Sequence, residues 1–214
     1  MKKFSEFTKI NENISSLVYK PSSSFEDKRL INRAIELFDM SEDIKLKNPP
    51  ANNSDETRAE LSEIADQMEY LSESNQTSST VFESFLSFCS SVGLEVDYAK
   101  LLQMIKESRS IIRELQYQFN RPRPEQIAKS LGIKLPRLLT ERPTTPSYPS
   151  EKSSQSYMVS SYLGHLFSGH EQDFLNIAES LGMSQISSGS QFMSGHEAGR
   201  QVGLELFIRL KDKS

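Results

Sequence analysis

The 214-residue sequence predicts an all-α protein, an irregular bundle of helices. Three observations predict it. Apolar residues recur at three- and four-residue spacing, the period of a helix with one buried face. Clusters of proline, glycine and serine separate those runs, as breakers do between helices. No pair of alternating apolar and polar runs suggests a β-hairpin, and no internal repeat is seen.

Taken in order, Ser24 and Asp27 resemble a capping box ahead of Leu30, Ile31, Ala34, Ile35, Leu37 and Phe38, so one helix is expected to run through Phe38. A polar loop with Pro49 and Pro50 follows. Leu61, Ile64, Ala65, Met68 and Leu71 make the next stripe, and a serine-rich linker spans 72–79. Val81, Phe82, Phe85, Leu86, Cys89 and Val92 mark a strongly apolar helix that Gly93 ends. A long helix is expected over 96–117, carrying Leu101, Ile105, Ile111, Ile112 and Leu115. It stops before Arg121-Pro122-Arg123-Pro124. Pro124 opens a short helix to Leu131, and 132–148 is a long loop rich in proline and threonine. Residues 150–167 form a helix with Tyr157, Met158, Tyr162, Leu163 and Leu166 as core candidates. Phe174, Ile177, Ala178 and Leu181 predict another short helix, 182–195 a serine/glycine turn region, and 197–210 a closing helix with Val202, Leu206 and Phe207 inward. Three regions are expected: a terminal segment 1–23, a helical preface 24–95, and a core 96–214.

Hydrophobic residues make up 36% of the chain, enough for a core, and the formal net charge is -4. Such mild acidity offers no general attraction to nucleic acid or anionic membrane. The single cysteine, Cys89, lies in an apolar run and reads as a buried thiol. The start, MKKFSEFTKINE, has positive charge without an apolar signal core behind it. No run approaches the ~18 apolar residues of a membrane span. A cytoplasmic location follows as the expectation. The three histidines show no metal-ligand spacing around a carboxylate and there is no cysteine cluster, so no metal and no cofactor are expected.

Three segments carry chemical information together: QYQFNRPRP at 116–124, PSYPSEKSSQS at 146–156, and SQISSGSQFMSGHEAGRQVG at 184–203. Each alone has a structural reading, a proline break, a helix start and a loose turn. Their order and spacing resemble the type-2 phosphatidic acid phosphatase and vanadium haloperoxidase superfamily, especially its soluble class A acid phosphatases. That family's signature is Lys, six residues, Arg-Pro; then Pro-Ser-Gly-His; then Ser-Arg, five residues, His, three residues, Asp. Here Arg123-Pro124, Tyr148-Pro149-Ser150, Ser184, Gly189 and Ala198-Gly199-Arg200 fit, and the resemblance spans 101–210. It implies a helical bundle of the acid phosphatase/haloperoxidase type.

The same resemblance marks what has changed. The family lysine falls on Gln116, and Arg123 is retained. The general-acid histidine falls on Lys152 and the glycine before it on Glu151. The second arginine falls on Gln185, the nucleophilic histidine on Gln191 and the aspartate that orients it on Gly195. An amide has no lone pair comparable to imidazole nitrogen, and a lysine is a poor proton shuttle near neutral pH. The expectation is a non-catalytic descendant, with Arg123, Lys152 and the helix start at Ser150 retaining weak affinity for phosphate or another small anion. Alternatives are pairing of Arg123 and Lys152 with acidic neighbours such as Glu151, a phosphatase of altered mechanism using Lys152 or His196, and a helical interaction protein of other ancestry. His196 lies five residues beyond the nucleophile position, in a turn leading to a helix. Phe167-Ser168-Gly169-His170 reads as a helix-ending turn and His165 as surface or half-buried.

The first twelve residues also resemble the targeting prefixes of internal head proteins of T-even-like bacteriophages. Such prefixes are short and amphipathic, begin Met-Lys, and end at a protease site of Leu or Ile, any residue, then Glu. Phe4, Phe7 and Ile10 share one helical face, and Ile10-Asn11-Glu12 fits the site. The resemblance implies phage head proteins as partners, cleavage at Glu12 and a place inside the virion. An N-terminal helix packing on the bundle explains the same residues.

Overall fold

A computed structural model describes residues 14–19, 25–71, 79–136 and 143–210. Its helices are α1 (Phe25–Ile31), α2 (Asp55–Leu71), α3 (Val81–Ser91), α4 (Tyr98–Phe119), α5 (Pro124–Leu131), α6 (Glu151–Leu166), α7 (Glu171–Ser187) and α8 (Met193–Ile208). Among the described residues the only β-type pairing is an isolated bridge between Phe38 and Leu210. The fold is all-α, as the periodicity predicts.

Local chemistry sets several helix ends. Thr80 accepts from the N–H of Glu83 while the Glu83 side chain accepts from the N–H of Thr80, closing a capping box on α3. Gly93 follows α3 with φ +74°, a conformation a Cβ would disfavour. Asp97 and Ser150 cap α4 and α6 by accepting from Lys100 N and Ser153 N.

α6 is the central helix. Every residue from 153 to 160 is buried, serines included. The hydroxyls of Ser154 and Ser156 donate to the carbonyls four residues back, at 2.8 and 2.7 Å, so their burial leaves no lost hydrogen bond. α4 and α7 run antiparallel to α6, and α8 runs parallel to it. The α6–α8 approach is the closest. A Cβ on Gly199 would lie 2.7 Å from Ser150 O, and one on Gly203 would lie 2.4 Å from Ser154 O and 2.9 Å from Met158 N. The main core joins α3, α4, α6, α7 and α8 and includes Phe85, Leu101, Met104, Ile112, Met158, Phe174 and Val202. Cys89 is buried within it. A second cluster joins Leu61, Ile64 and Met68 of α2 to Ile127, Ile186 and Phe192.

Four expectations need correction. The first helix stops at Ile31 and does not reach Phe38. The buried carboxylate of Glu107 accepts from the N–H groups of Glu36 and Leu37, both at 2.8 Å, and holds that segment in a non-helical form. Leu37 and Phe38 thereby enter the core from a strap. Next, 182–195 is not a turn region. α7 continues through Gly182 to Ser187, and α8 already starts at Met193. Ser184 and Ser187 of α7 donate back to the carbonyls of Leu181 and Met183, so the helix tolerates them. Third, Leu166 is 49% exposed and Tyr162 only partly buried, because these two, four residues apart, share a face of α6 turned toward solvent while Leu163 in the same turn is fully buried. Fourth, Phe207 is only partly buried, against His165. Ser24 and the 72–78 linker lie outside the described residues.

The glycine contacts give a paired test. Gly203→Ala should lower stability by about 1–3 kcal/mol, since the new methyl meets backbone that cannot yield. Gly164→Ala, whose Cβ makes only ordinary 3.5–3.7 Å contacts with Glu171, should be neutral or gain up to ~1 kcal/mol from helix propensity. Urea denaturation of both variants reads the contrast, and equal effects would contradict a close α6–α8 approach.

Candidate functional site

The site lies where the end of α4, the starts of α5, α6 and α8, and the 188–192 turn meet. Gln116, fully buried near the end of α4, donates from Nε2 to Pro149 O at 3.0 Å. Its Oε1 is buried with no hydrogen-bond partner among the described residues. Ser147 is buried and its hydroxyl donates to Pro122 O at 2.7 Å, tying the proline-rich loop to the start of α5. Ser150 N donates to Gly195 O at 2.9 Å, which joins the α6 start to α8. Gln191 N and Ser190 N both donate to Gln185 O at 3.0 Å, which folds the turn back on α7. Gln191 is buried, and its Oε1 accepts from Phe192 N at 2.9 Å. A Cβ on Gly195 would lie 2.5 Å from that Oε1 and 2.9 Å from Ser147 O. Gly195 and Gln191 are therefore in contact.

Arg123 links these pieces. Its Nε donates to Thr145 O (2.7 Å), Nη1 to Ser190 O (2.9 Å), and Nη2 to Thr145 Oγ1 (2.9 Å) and Pro146 O (3.0 Å). Those four bonds use four of the five donors of a guanidinium. Burial pulls its pKa down to about 10, opposed by Tyr19 and Glu151 and assisted by Arg113. Thus Gln116, Arg123, Ser150, Gln185, Gln191 and Gly195, distant in sequence, are joined by a short chain of contacts. Lys152 is not tied in. No described residue bonds its Nζ, and burial alone lowers its pKa.

Glu151 does not pair with Arg123 or Lys152. Its carboxylate takes Arg109 Nε at 2.8 Å and Arg113 Nη2 at 2.9 Å, both from α4. Arg113 is 9% exposed and also faces Asp27 of α1 at 3.4 Å. Tyr117 donates to Asp27 at 2.8 Å, and burial together with that carboxylate raises the phenol to about 12. On the other side Arg121, buried, binds Glu60 of α2 at 3.0 Å and Ser194 Oγ at 2.6 Å. Its guanidinium lies 4.0 Å from the Phe192 ring centre.

His196 lies in the first turn of α8 and is buried, not in a turn ahead of the helix. Its Nδ1 is 3.0 Å from Ser153 Oγ, and Ser153 Oγ bonds Ser150 Oγ at 2.9 Å. Its Nε2 is 3.7 Å from Glu179, which also accepts from Tyr157. A Cβ on Gly182 would lie 2.3 Å from the ring, so glycine there makes room for the imidazole. Ser153 is fully buried, so this serine–histidine–glutamate row, one hydrogen bond and one 3.7 Å contact, is a strut between α6, α7 and α8 and not an exposed nucleophile. His165 is exposed. His170 caps α7 and pairs with Asp173 at 3.0 Å, after Gly169 has closed the turn.

The chain is similar in fold to a solved structure described as the first bacterial vanadium-dependent iodoperoxidase. The match has a TM-score of 0.55 and 18% identity. It covers 79% of this chain and 54% of that one, so this chain spans about half of the neighbour's length. The fold is therefore the helical haloperoxidase type. No family model matches the chain, and no curated protein matches it.

Sequence reasoning missed Arg109, Arg113 and the Arg121–Glu60 pair. Arginines spaced four apart on α4 were visible, yet nothing local tells which carboxylate they meet. His196 carries a pH signature. Burial lowers its pKa below the ordinary 6.5, against the opposing pull of Glu179 and Glu197, with Arg200 adding to the lowering. Between 6.5 and the lower folded value the unfolded chain holds a proton that the folded chain refuses. Stability should therefore fall as pH drops through that window. His196→Gln should lack that part of the slope in urea midpoints measured across it, and parallel curves would assign the slope to other groups.

Proposed function

We propose that this chain is a non-catalytic relative of the acid phosphatases, kept for binding or for structure. The carrying observation is Gln191. At the position that the resemblance gives to the nucleophile stands a buried amide whose oxygen is engaged with its own neighbour's N–H. Gly195 beside it leaves no carboxylate to orient a base, and a Cβ there would collide with the Gln191 side chain. His196 does not replace the nucleophile: its ring is enclosed by Ser153, Gly182 and Glu179. Vanadate held by a bond to imidazole does not fit either: the neighbour is described as vanadium-dependent, but Gln191 offers no ring nitrogen to bond the metal.

Residual anion affinity at Arg123, Lys152 and Ser150 belongs to this reading, and it is weak. Arg123 has one N–H left to offer, and Gln116 and Gln185 stand where the family carries cations. Lys152 restores one charge and has no bonding partner among the described residues. The reading extends to a phage origin and a virion interior. That part rests on the MKKFSEFTKINE prefix, which lies outside the described residues.

The purified protein should show no turnover of an aryl phosphate above a protein-free blank between acid and neutral pH. Turnover that vanishes in His196→Ala would overturn the reading in favour of an altered mechanism. Millimolar phosphate should raise the melting temperature slightly, as a ligand of the folded state does. No shift would remove the anion site from the proposal. If the prefix is processed, chain isolated from particles should begin at Asn13 by intact mass, and a full-length mass would reject cleavage at Glu12.

A further inference from the structure

The start of α6 is surrounded by more positive charge than the resemblance accounts for. Arg109 and Arg113 approach it from α4, Arg123 from the start of α5, and Lys152 is on α6 itself. Among the described residues two carboxylates pair with these cations, Glu151 and Asp27. In a chain of net charge -4 this is a local cationic excess. Arg113 is nine-tenths buried, and its Nη1 has no hydrogen-bond partner among the described residues. A buried guanidinium N–H without a partner is uncommon and calls for an acceptor that no described residue supplies. Glu151, by contrast, is fully used. One oxygen takes Arg109 and the other takes Arg113, and its charge also bears on Arg123. Its side chain is 23% exposed and that of Arg109 47%, so the clamp borders solvent.

We propose that the Glu151 carboxylate is a built-in occupant of an anion site at the start of α6, formed by Arg109, Arg113 and the α6 N-terminus, and that it holds the native chain in a low-affinity state. The idea deepens the pseudophosphatase reading and rests on it for the place of the site. The ligand class is a small tetrahedral oxyanion such as phosphate or the phosphoryl end of a monoester. Such an ion offers several oxygens to two guanidinium groups and to the first N–H groups of a helix, whose dipole favours negative charge. Glu151 supplies the same features from within, as an acceptor held at a helix start where acidic groups are stabilised. An incoming oxyanion meets its charge and finds the forks of Arg109 and Arg113 already taken. Asp27 keeps Arg113 partly neutralised when Glu151 is changed, so the remaining cluster still has a counter-ion.

The test uses the full chain as E151Q and as E151S, each checked for native helicity by circular dichroism. Binding of inorganic phosphate is read by calorimetry and by melting temperature, against chloride at equal ionic strength. Both variants should bind at least about tenfold tighter than wild type, the effect of one recovered charge-assisted hydrogen bond. Adding R113Q to E151Q should abolish the gain. Affinity unchanged from wild type in the folded variants, or a gain that survives R113Q, would overturn the proposal. If one variant does not fold, the other carries the comparison. The wild-type titration separates the two ideas. Wild-type binding with no gain in E151Q leaves the weak anion site standing and removes the internal occupant. A gain from a silent wild type does the reverse.

Discussion

α6 and α8 lie side by side with backbone against backbone, and the geometry of the site follows from that approach. Gly195, Gly199 and Gly203 recur every four residues and so lie along one line of α8. Each meets a backbone oxygen of the α6 region: Ser147, Ser150 and Ser154 in turn. A larger residue at any of the three would push the helices apart. Because they are in contact, Ser150 N reaches Gly195 O, and the start of α6 is fixed to the start of α8. The 188–192 turn is then drawn over α5, where Arg123 can reach Ser190 O. α6 answers with small side chains. Ser154 and Ser156 keep their hydroxyls on backbone carbonyls four residues back and Ser153 bonds Ser150 and His196, so a sequence that looks polar makes a buried central helix in which these serines are engaged.

The same close packing explains how cations are used at this end of the molecule. Arg121 is buried and holds α2 to the start of α8 through Glu60 and Ser194. Arg123 holds three loop segments together through oxygens that carry no formal charge, and its pKa is depressed because burial removes water without supplying an anion in direct contact. Arg113 bridges α1 and α6 through Asp27 and Glu151. Each guanidinium thus ties together elements that are remote in sequence. A fork of fixed N–H groups is suited to that task, since it meets several oxygens in one plane.

His196 shows how packing engages a residue that a motif leaves open. Here the ring fills a gap opened by Gly182 and connects α6, α7 and α8 through Ser153 and Glu179. Its neighbours on α8 confirm the register: Gly195 and Gly199 pack on the α6 start, and Val202 and Leu206 are fully buried in the main core.

Much of the architecture could be read from the chain alone. The apolar stripe of α3, the long α4 and its stop at Arg121-Pro122-Arg123-Pro124, the short α5 opening on Pro124, and α6 after Ser150 are all local patterns. Period, caps and breakers act over a few residues, and the structure places these helices within a residue or two of where the patterns end. Of the positions the motif spacing marks, Gln116, Arg123, Gln185, Gln191 and Gly195 are linked through a chain of contacts, and Lys152 is not. Other features were decided only in three dimensions. Whether 36–38 is helix or strap depends on Glu107, some seventy residues away. Whether a run of serine and glycine is a turn or a helix depends on which helix presses against it, as at Gly182 and Ser184. The partner of Glu151 was settled by α4 lying alongside α6, which brings Arg109 and Arg113 within bonding distance. Local sequence sets the periods and the breaks, whereas charge pairing and backbone contact between helices belong to distances that exist only once the chain has folded.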